Sequence, residues 1–341
     1  MVDRKGHDAA SPAEMPRRAW KDILARTYKR TWDDNVGLVA AGVAFYAFFA
    51  LLSMLALIVL FYGVVAKPVT VIEHIRVLTT ILPGDVALLI RDQLLNIVHS
   101  SGGTKGFGIL MAFLVAAYGG TNGAAAVITA LNIAYEEKEK RSLVSFYLLA
   151  VAMTLTALVV ALIAIAGTAF LAYLQKLLPQ ASPATLLAAK IGGYAVLLLA
   201  ASAVAATLYR YAPAREDAQW RWITPGSAFA AVAWLVLTSL FAVYLARIAD
   251  YHASYGSLGT VVAMLTWMYL SAYTFLIGAE LNSEIEHQTA EDSTTGAPEP
   301  MGARGAWAAD NVATDDTVQD RPEEAREGEK LTQAGPEIGK D

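Results

Sequence analysis

Residues 250–287 read DYHASYGSLGTVVAMLTWMYLSAYTFLIGAELNSEIEH. From Tyr251 to Ala279 there is no Asp, Glu, Lys or Arg. About 20 apolar residues suffice to cross a hydrocarbon core of about 30 Å as one helix. The run enters through Tyr255, Gly256 and Ser257 and leaves through Gly278-Ala279-Glu280-Leu281-Asn282. Beyond it the chain turns acidic and poor in apolar residues. The segment reads as the last transmembrane helix, and it carries the most distinctive polar groups of the membrane domain.

The rest of the 341 residues fits that reading. Hydrophobic residues make up 56% and charged residues 17%, where soluble domains carry about 25% charged residues. Five further charge-poor runs precede the last one. The expected spans lie near 37–65, 107–134, 143–173, 187–209, 223–246 and 256–280. The spacing carries no strand-type alternation, so a barrel is excluded and helices remain as the way to cross lipid. The expected fold is therefore all-α: a polytopic integral membrane bundle of six transmembrane helices over 17–287. The first run is too long for a cleavable signal peptide and is expected to act as its own insertion signal.

Outside the spans, residues 1–16 and 288–341 are predicted to be disordered. The second of these is dominated by Ala, Gly, Pro and acids and is expected as a solvated tail. From Arg17 to Trp32, Trp20, Ile23, Leu24, Tyr28 and Trp32 recur at helical spacing among Arg and Lys. That pattern predicts a helix lying in the membrane interface; the alternative is a solvated basic helix packed on the protein. Between Lys67 and Lys105, two apolar sets separated by Pro83-Gly84 predict amphipathic helices on the outer face. They either lie at the interface or cover a cavity mouth.

Lys and Arg set the orientation. Eight precede residue 35, Lys138, Lys140 and Arg141 follow the second span, and Arg210, Arg215 and Arg221 follow the fourth. Only Lys176 and Arg247 lie close after the third and fifth. Both termini are thus expected in the cytoplasm of a bacterium, with the spans in its inner membrane.

Several polar residues within the spans invite a functional reading. Glu280 is an acid near the inner end of the last span, where it either serves function or pairs with a loop cation such as Arg141. Asn122 and Asn132 lie on the second span, and Asn282 follows the sixth. All three are candidates for a substrate path, with interhelical hydrogen bonding as the alternative. Tyr255, Gly256 and Ser257 either re-enter the membrane or simply turn the chain and cap the next helix. Ala40 and Ala44 on the first span and Gly119 and Gly123 on the second are spaced for close helix contact.

Other chemistry is not expected. Cysteine is absent and the five histidines make no H-x-H or H-x-x-x-H pair, so no metal site and no cofactor is implied. A metal-dependent nuclease would need such a cluster, and no nucleic-acid partner is expected. No nucleotide-binding loop is present. The expected partners are the bilayer and an unidentified small-molecule or lipid substrate; a homo-oligomer stays open.

Four stretches carry a family resemblance: AAGVAFYAFFALLS (40–53), TALNIAYEEKEKRS (129–142), ITPGSAFAAVAWLVLTSLFAVY (223–244) and YHASYGSLGTVVAMLTWMYLSAYTFLIGAELN (251–282). Over Trp20 to His287 the chain resembles the YihY/BrkB membrane proteins, also known as ribonuclease BN. The resemblance implies a six-helix inner-membrane protein, of a kind described as a candidate transporter or virulence-associated factor. Here Ser53 is followed by Met54-Leu55-Ala56 where the family pattern places a proline, so a straighter first helix is expected.

Overall fold

Lipid offers a backbone no hydrogen-bond partner, so each crossing segment closes its own ladder as a helix. The structure, a computed structural model, describes residues 6–65, 102–177, 183–247 and 258–313. Among the described residues the fold is all-α, with one isolated bridge between Ala218 and Thr294. In chain order come α1 (Arg17–Asp33), α2 (Val36–Val65), α3 (Gly102–Ala134) and α4 (Leu143–Leu177). Then follow α5 (Pro183–Tyr211), α6 (Trp220–Arg247), α7 (Leu258–Glu286) and the single turn α8 (Trp307–Asp310).

Five helices, α3 to α7, are long and apolar enough by themselves to cross a membrane. The bent pair α1–α2 makes a sixth when counted as one span. The outer-face helices expected between 67 and 101 and the turn Tyr255-Gly256-Ser257 lie outside the described residues.

Each helix in the order α4–α3–α2–α7–α6–α5 packs on the next. α7 thus joins a half made of α2, α3 and α4 to a half made of α5 and α6, and it also meets α1. Its tightest contact is with α6. A Cβ placed on Gly226 would lie 2.1 Å from the Gly278 carbonyl oxygen, and one on Gly278 would lie 2.7 Å from that of Gly226. Two helix backbones touch there, which only residues without a side chain permit. Deeper in the bundle the same pair of helices exchanges two hydrogen bonds. Trp234 Nε1 donates to Ser271 Oγ and Trp267 Nε1 donates to Thr238 Oγ1, each at 3.2 Å.

α1 does not continue α2. The two meet at 64°, with Asn35 in the left-handed region at φ 50°, where Asn is among the few tolerated residue types. α1 buries Ala19, Ile23, Thr27 and Thr31 and leaves Leu24, Tyr28 and Trp32 exposed.

The disorder expected over 1–16 and 288–341 is corrected for 6–16 and 288–313. Those residues fold over the end of the bundle where α7 finishes. Ala290 N–H donates to the His7 carbonyl at 2.7 Å, Thr289 Oγ1 to that of Ala9 at 2.7 Å, and Ala313 N–H to that of His287 at 2.8 Å. Gln219 N–H donates to the Ser293 carbonyl and Thr295 N–H to that of Asp217, both at 2.8 Å. Arg304, 8% exposed, donates to the carbonyls of Glu291, Glu299, Ala309 and Ala290 at 3.3, 3.0, 2.8 and 2.9 Å. The composition is too polar to form a core of its own; it is ordered by hydrogen bonds to a surface the bundle has already built. Burial pushes the Asp292 carboxyl up, but hydrogen bonds from Glu299 N–H, the Thr294 hydroxyl and Thr294 N–H outweigh it and hold the group below its usual range.

Three expectations follow from this packing. Gly226→Ala and Gly278→Ala overpack the helix contact and should each cost at least about 1–3 kcal/mol. Gly192→Ala, whose Cβ meets nothing within 4 Å, should be neutral; thermal unfolding in mild detergent distinguishes them. Arg304→Ala should undock 288–313, read as several-fold faster cleavage of that segment by added protease. Lowered pH acts the same way. A carboxyl with a depressed folded-state value contributes fully at neutral pH and loses that contribution as pH falls through it, so acid should accelerate cleavage in the parent and less in Asp292→Asn.

Candidate functional site

The last turns of α7 are among the most buried and most charged parts of the molecule. Glu280, Asn282, Ser283, Glu284 and Glu286 are all 3% exposed or less. The helix runs on to Glu286, beyond the expected exit near 280, and other elements supply partners for Asn282, Glu284 and Glu286 in turn.

Asn282 braces α6 beside its internal proline. Pro225 lies inside that helix, where it lacks an N–H and crowds the preceding turn. Asn282 Oδ1 accepts from Gly226 N–H at 2.7 Å and its Nδ2 donates to the Ile223 carbonyl at 3.0 Å. The side-chain amide thereby takes the place of a peptide unit.

Glu284 draws in α1. Arg26 Nε lies 2.5 Å from its Oε2 and Arg30 Nε 3.4 Å from its Oε1. Arg26 also donates to Gln288 Oε1 at 2.5 Å. Arg30 pairs in addition with Glu136 and stacks over Trp307 at 5.3 Å. Glu136 sits at φ 55° and ends α3. Glu137 N–H donates to the Asn132 carbonyl and Glu136 N–H to that of Ile133, the Schellman pattern that usually takes glycine.

Glu286 draws in the loop between α5 and α6. Arg215 holds it through two contacts, 2.6 and 3.2 Å, with side-chain exposures of 1% and 0%. Ser293 Oγ donates to the same carboxylate at 2.8 Å, and Arg215 also lies over the Tyr135 ring at 5.2 Å. Burial works against the Arg215 charge, but Glu286 more than offsets it and holds the guanidinium above its ordinary value. Burial pushes the Glu137 carboxyl above the usual range, against the Trp307 N–H that donates to it at 2.6 Å.

Asn132, one of the substrate-path candidates, stitches two loops together. Its Oδ1 accepts from Ala214 N–H at 2.7 Å and its Nδ2 donates to Glu139 at 2.9 Å. Arg141 does not pair with Glu280; it holds Glu139 at 2.7 Å and the Ala212 carbonyl at 2.8 Å. Glu280, 1% exposed, keeps an Oε1 without a hydrogen-bond partner among the described residues. Among the described residues no group of three or more His, Asp or Glu is arranged to hold a metal ion.

Asn122 lies elsewhere. It lines an open groove of about 420 Å³ between α2, α3 and α4, with Val39, Gly42, Val43, Tyr46, Thr129, Ile133, Phe146 and Tyr147. Asn122 Nδ2 donates to its own helix at the Tyr118 carbonyl, 2.9 Å away, and among the described residues its Oδ1 accepts nothing. From Ile133 to Asn122 is eleven residues, about 16 Å of helix, so the groove reaches from the polar end to the middle of the membrane-length part of α3, Phe113–Ala134. The small residues read as packing positions lie close by. Ala40 and Ala44 are buried, Gly119 is buried, and a Cβ on Gly123 would lie 3.5 Å from Ala50 Cβ.

Sequence reading counted Arg30 and Arg215 only as orienting cations and gave Glu136, Glu286, Pro225 and Trp307 no site role. Pro225 within an apolar run was a visible signal that some side chain must replace a backbone partner. The ion pairs join residues up to 258 positions apart, and no single-sequence pattern marks them.

Membrane-length helices, a row of six around α7, and a buried polar junction at one end define a polytopic α-helical membrane protein. The chain belongs to the Virulence factor BrkB family, whose model matches residues 27–302. That match takes in most of the docked segment after α7 as well as the helices. It is 29% identical over 197 residues to the ribonuclease-like protein YfkH of Bacillus subtilis, covering 57% of this chain and 69% of that one. It is 35% identical to a UPF0761 membrane protein of Pseudoalteromonas translucida and 33% identical to one of Idiomarina loihiensis. Those matches cover 20% and 23% of this chain and 23% and 28% of the relatives. No solved structure matches it.

Arg215→Leu strands a buried Glu286 charge and should cost about 3–5 kcal/mol. Replacing both partners by Met should cost much less. A double-mutant cycle on unfolding midpoints in detergent measures the difference.

Proposed function

We propose that the chain is a bacterial inner-membrane transporter of an amphipathic substrate that enters sideways from the bilayer. The groove between α2, α3 and α4 carries this reading. It is open, lined mainly by apolar side chains of membrane-length helices, and holds one amide, Asn122, with an unused acceptor. An unpaired amide in hydrocarbon is costly, and a hydroxyl or amine on a lipid-like substrate would satisfy it. The excess of Lys and Arg at the polar end supports placing that end, and both termini, in the cytoplasm.

A non-transporting scaffold is the second reading. Asn132, Asn282, Glu284 and Glu286 favour it, because each is committed to holding elements together. The ribonuclease-like name belongs to the Bacillus relative, and the reading proposed for this chain carries no nuclease step.

Gly42→Leu fills the groove without a clash, since a Cβ there meets nothing within 4 Å. In proteoliposomes, a photoactivatable phospholipid analogue should label peptides of α2 and α3. Gly42→Leu and Asn122→Leu should cut that labelling and the analogue's movement between leaflets at least about fivefold, a loss of roughly 1 kcal/mol in binding. Labelling without movement would favour the scaffold. Labelling that both variants leave unchanged would remove the groove from the function.

A further inference from the structure

α1 carries six basic residues, and the fold sorts them into two sets. Arg26 and Arg30 turn inward to Glu284, Glu136 and Gln288. Arg17, Arg18, Lys21 and Lys29 are exposed and have no acidic partner among the described residues. Positive-inside placement is satisfied by cations anywhere at this end of the bundle; it does not explain why four share one helix face. That face also carries the exposed stripe Leu24, Tyr28 and Trp32, spaced four residues apart, with Tyr28 and Trp32 edge to face at 6.2 Å. The remaining arc of α1 is taken up by the protein through Ala19, Ile23, Thr27 and Thr31. α1 leaves α2 at 64°, so with α2 crossing along the membrane normal α1 runs nearer the membrane plane.

We propose that the outer face of α1 is a docking surface for anionic phospholipid headgroups in the leaflet at the polar end. The aromatic stripe seats in the headgroup boundary, where Trp and Tyr are favoured. The four cations beside it face the phosphates, against two acids on the same helix, Asp22 and Asp33. Each such cation adds attraction to an anionic surface that falls off within a Debye length. Occupation would also hold α1 at its angle, and with it the Arg26 and Arg30 contacts to α7. The proposal is independent of whether the protein transports anything.

The test uses the full-length protein, delipidated in a neutral detergent, titrated with phosphatidylglycerol or phosphatidylcholine and read by native mass spectrometry. The parent should bind phosphatidylglycerol at least about fivefold more tightly than phosphatidylcholine, with the preference shrinking as salt rises. The quadruple variant Arg17→Gln, Arg18→Gln, Lys21→Gln, Lys29→Gln should lose the preference. Arg221→Gln, which removes an exposed cation on another element of the same end, should keep it. If the quadruple variant does not fold, Arg17→Gln with Arg18→Gln and Lys21→Gln with Lys29→Gln are read separately, and each should at least halve the preference. An unchanged preference in the variants, or an equal loss with Arg221→Gln, overturns the assignment.

Discussion

Lipid supplies no hydrogen bonds, and α7 ends in five polar residues that are almost wholly buried. That conflict dictates the polar end of the molecule. Three of these residues obtain partners from different elements: Asn282 from the proline-containing turn of α6, Glu284 from α1, Glu286 from the α5–α6 loop and the segment after α7. Breaking a buried ion pair costs several kcal/mol, so the loops and the two outer segments are held by charge and hydrogen bonds. The apolar core fixes which helix touches which. The polar junction fixes where the connections between them lie.

The same constraint separates structure from candidate function. An acid or amide in a membrane helix is by default a functional candidate, yet most such groups here are saturated. Asn132 and Asn282 each use both ends of the amide. Asn122 and Glu280 differ, since each keeps an acceptor that nothing described satisfies. Of the two, Asn122 lines the groove between α2, α3 and α4, and Glu280 is buried. Hydrogen-bond saturation, more than depth in the membrane, sorts the polar residues into those that hold and those left to meet a ligand.

Much of the bundle was legible because its signals are local. Hydropathy over twenty or so residues marks the spans, and the YGSLG-to-GAELN stretch marks the helix that joins the two halves. Gly278 stands in the exit quoted for the last span, but its contact with Gly226 shows only once the two helices lie side by side. What stayed hidden depends on pairs distant in sequence. Residues 288–313 carry too few apolar groups to fold alone, and their order comes from Arg304, Thr289 and Ser293 meeting surfaces made by other segments. Charge counting placed Arg26 and Arg30 at the polar end but could not distinguish them from Arg17 and Lys21, because that difference exists only once α7 is alongside.

The chain has no cysteine, so a disulfide can be introduced without background. Ala218 and Thr294 face each other across the isolated bridge, a separation that suits a disulfide. With Ala218→Cys and Thr294→Cys together in native membranes, mild oxidation should link the α5–α6 loop to the segment after α7 in nearly every molecule. Either single variant should give no such link. Failure of the pair to link, with the protein correctly inserted, would mean that the polar end of α7 does not gather these segments around it.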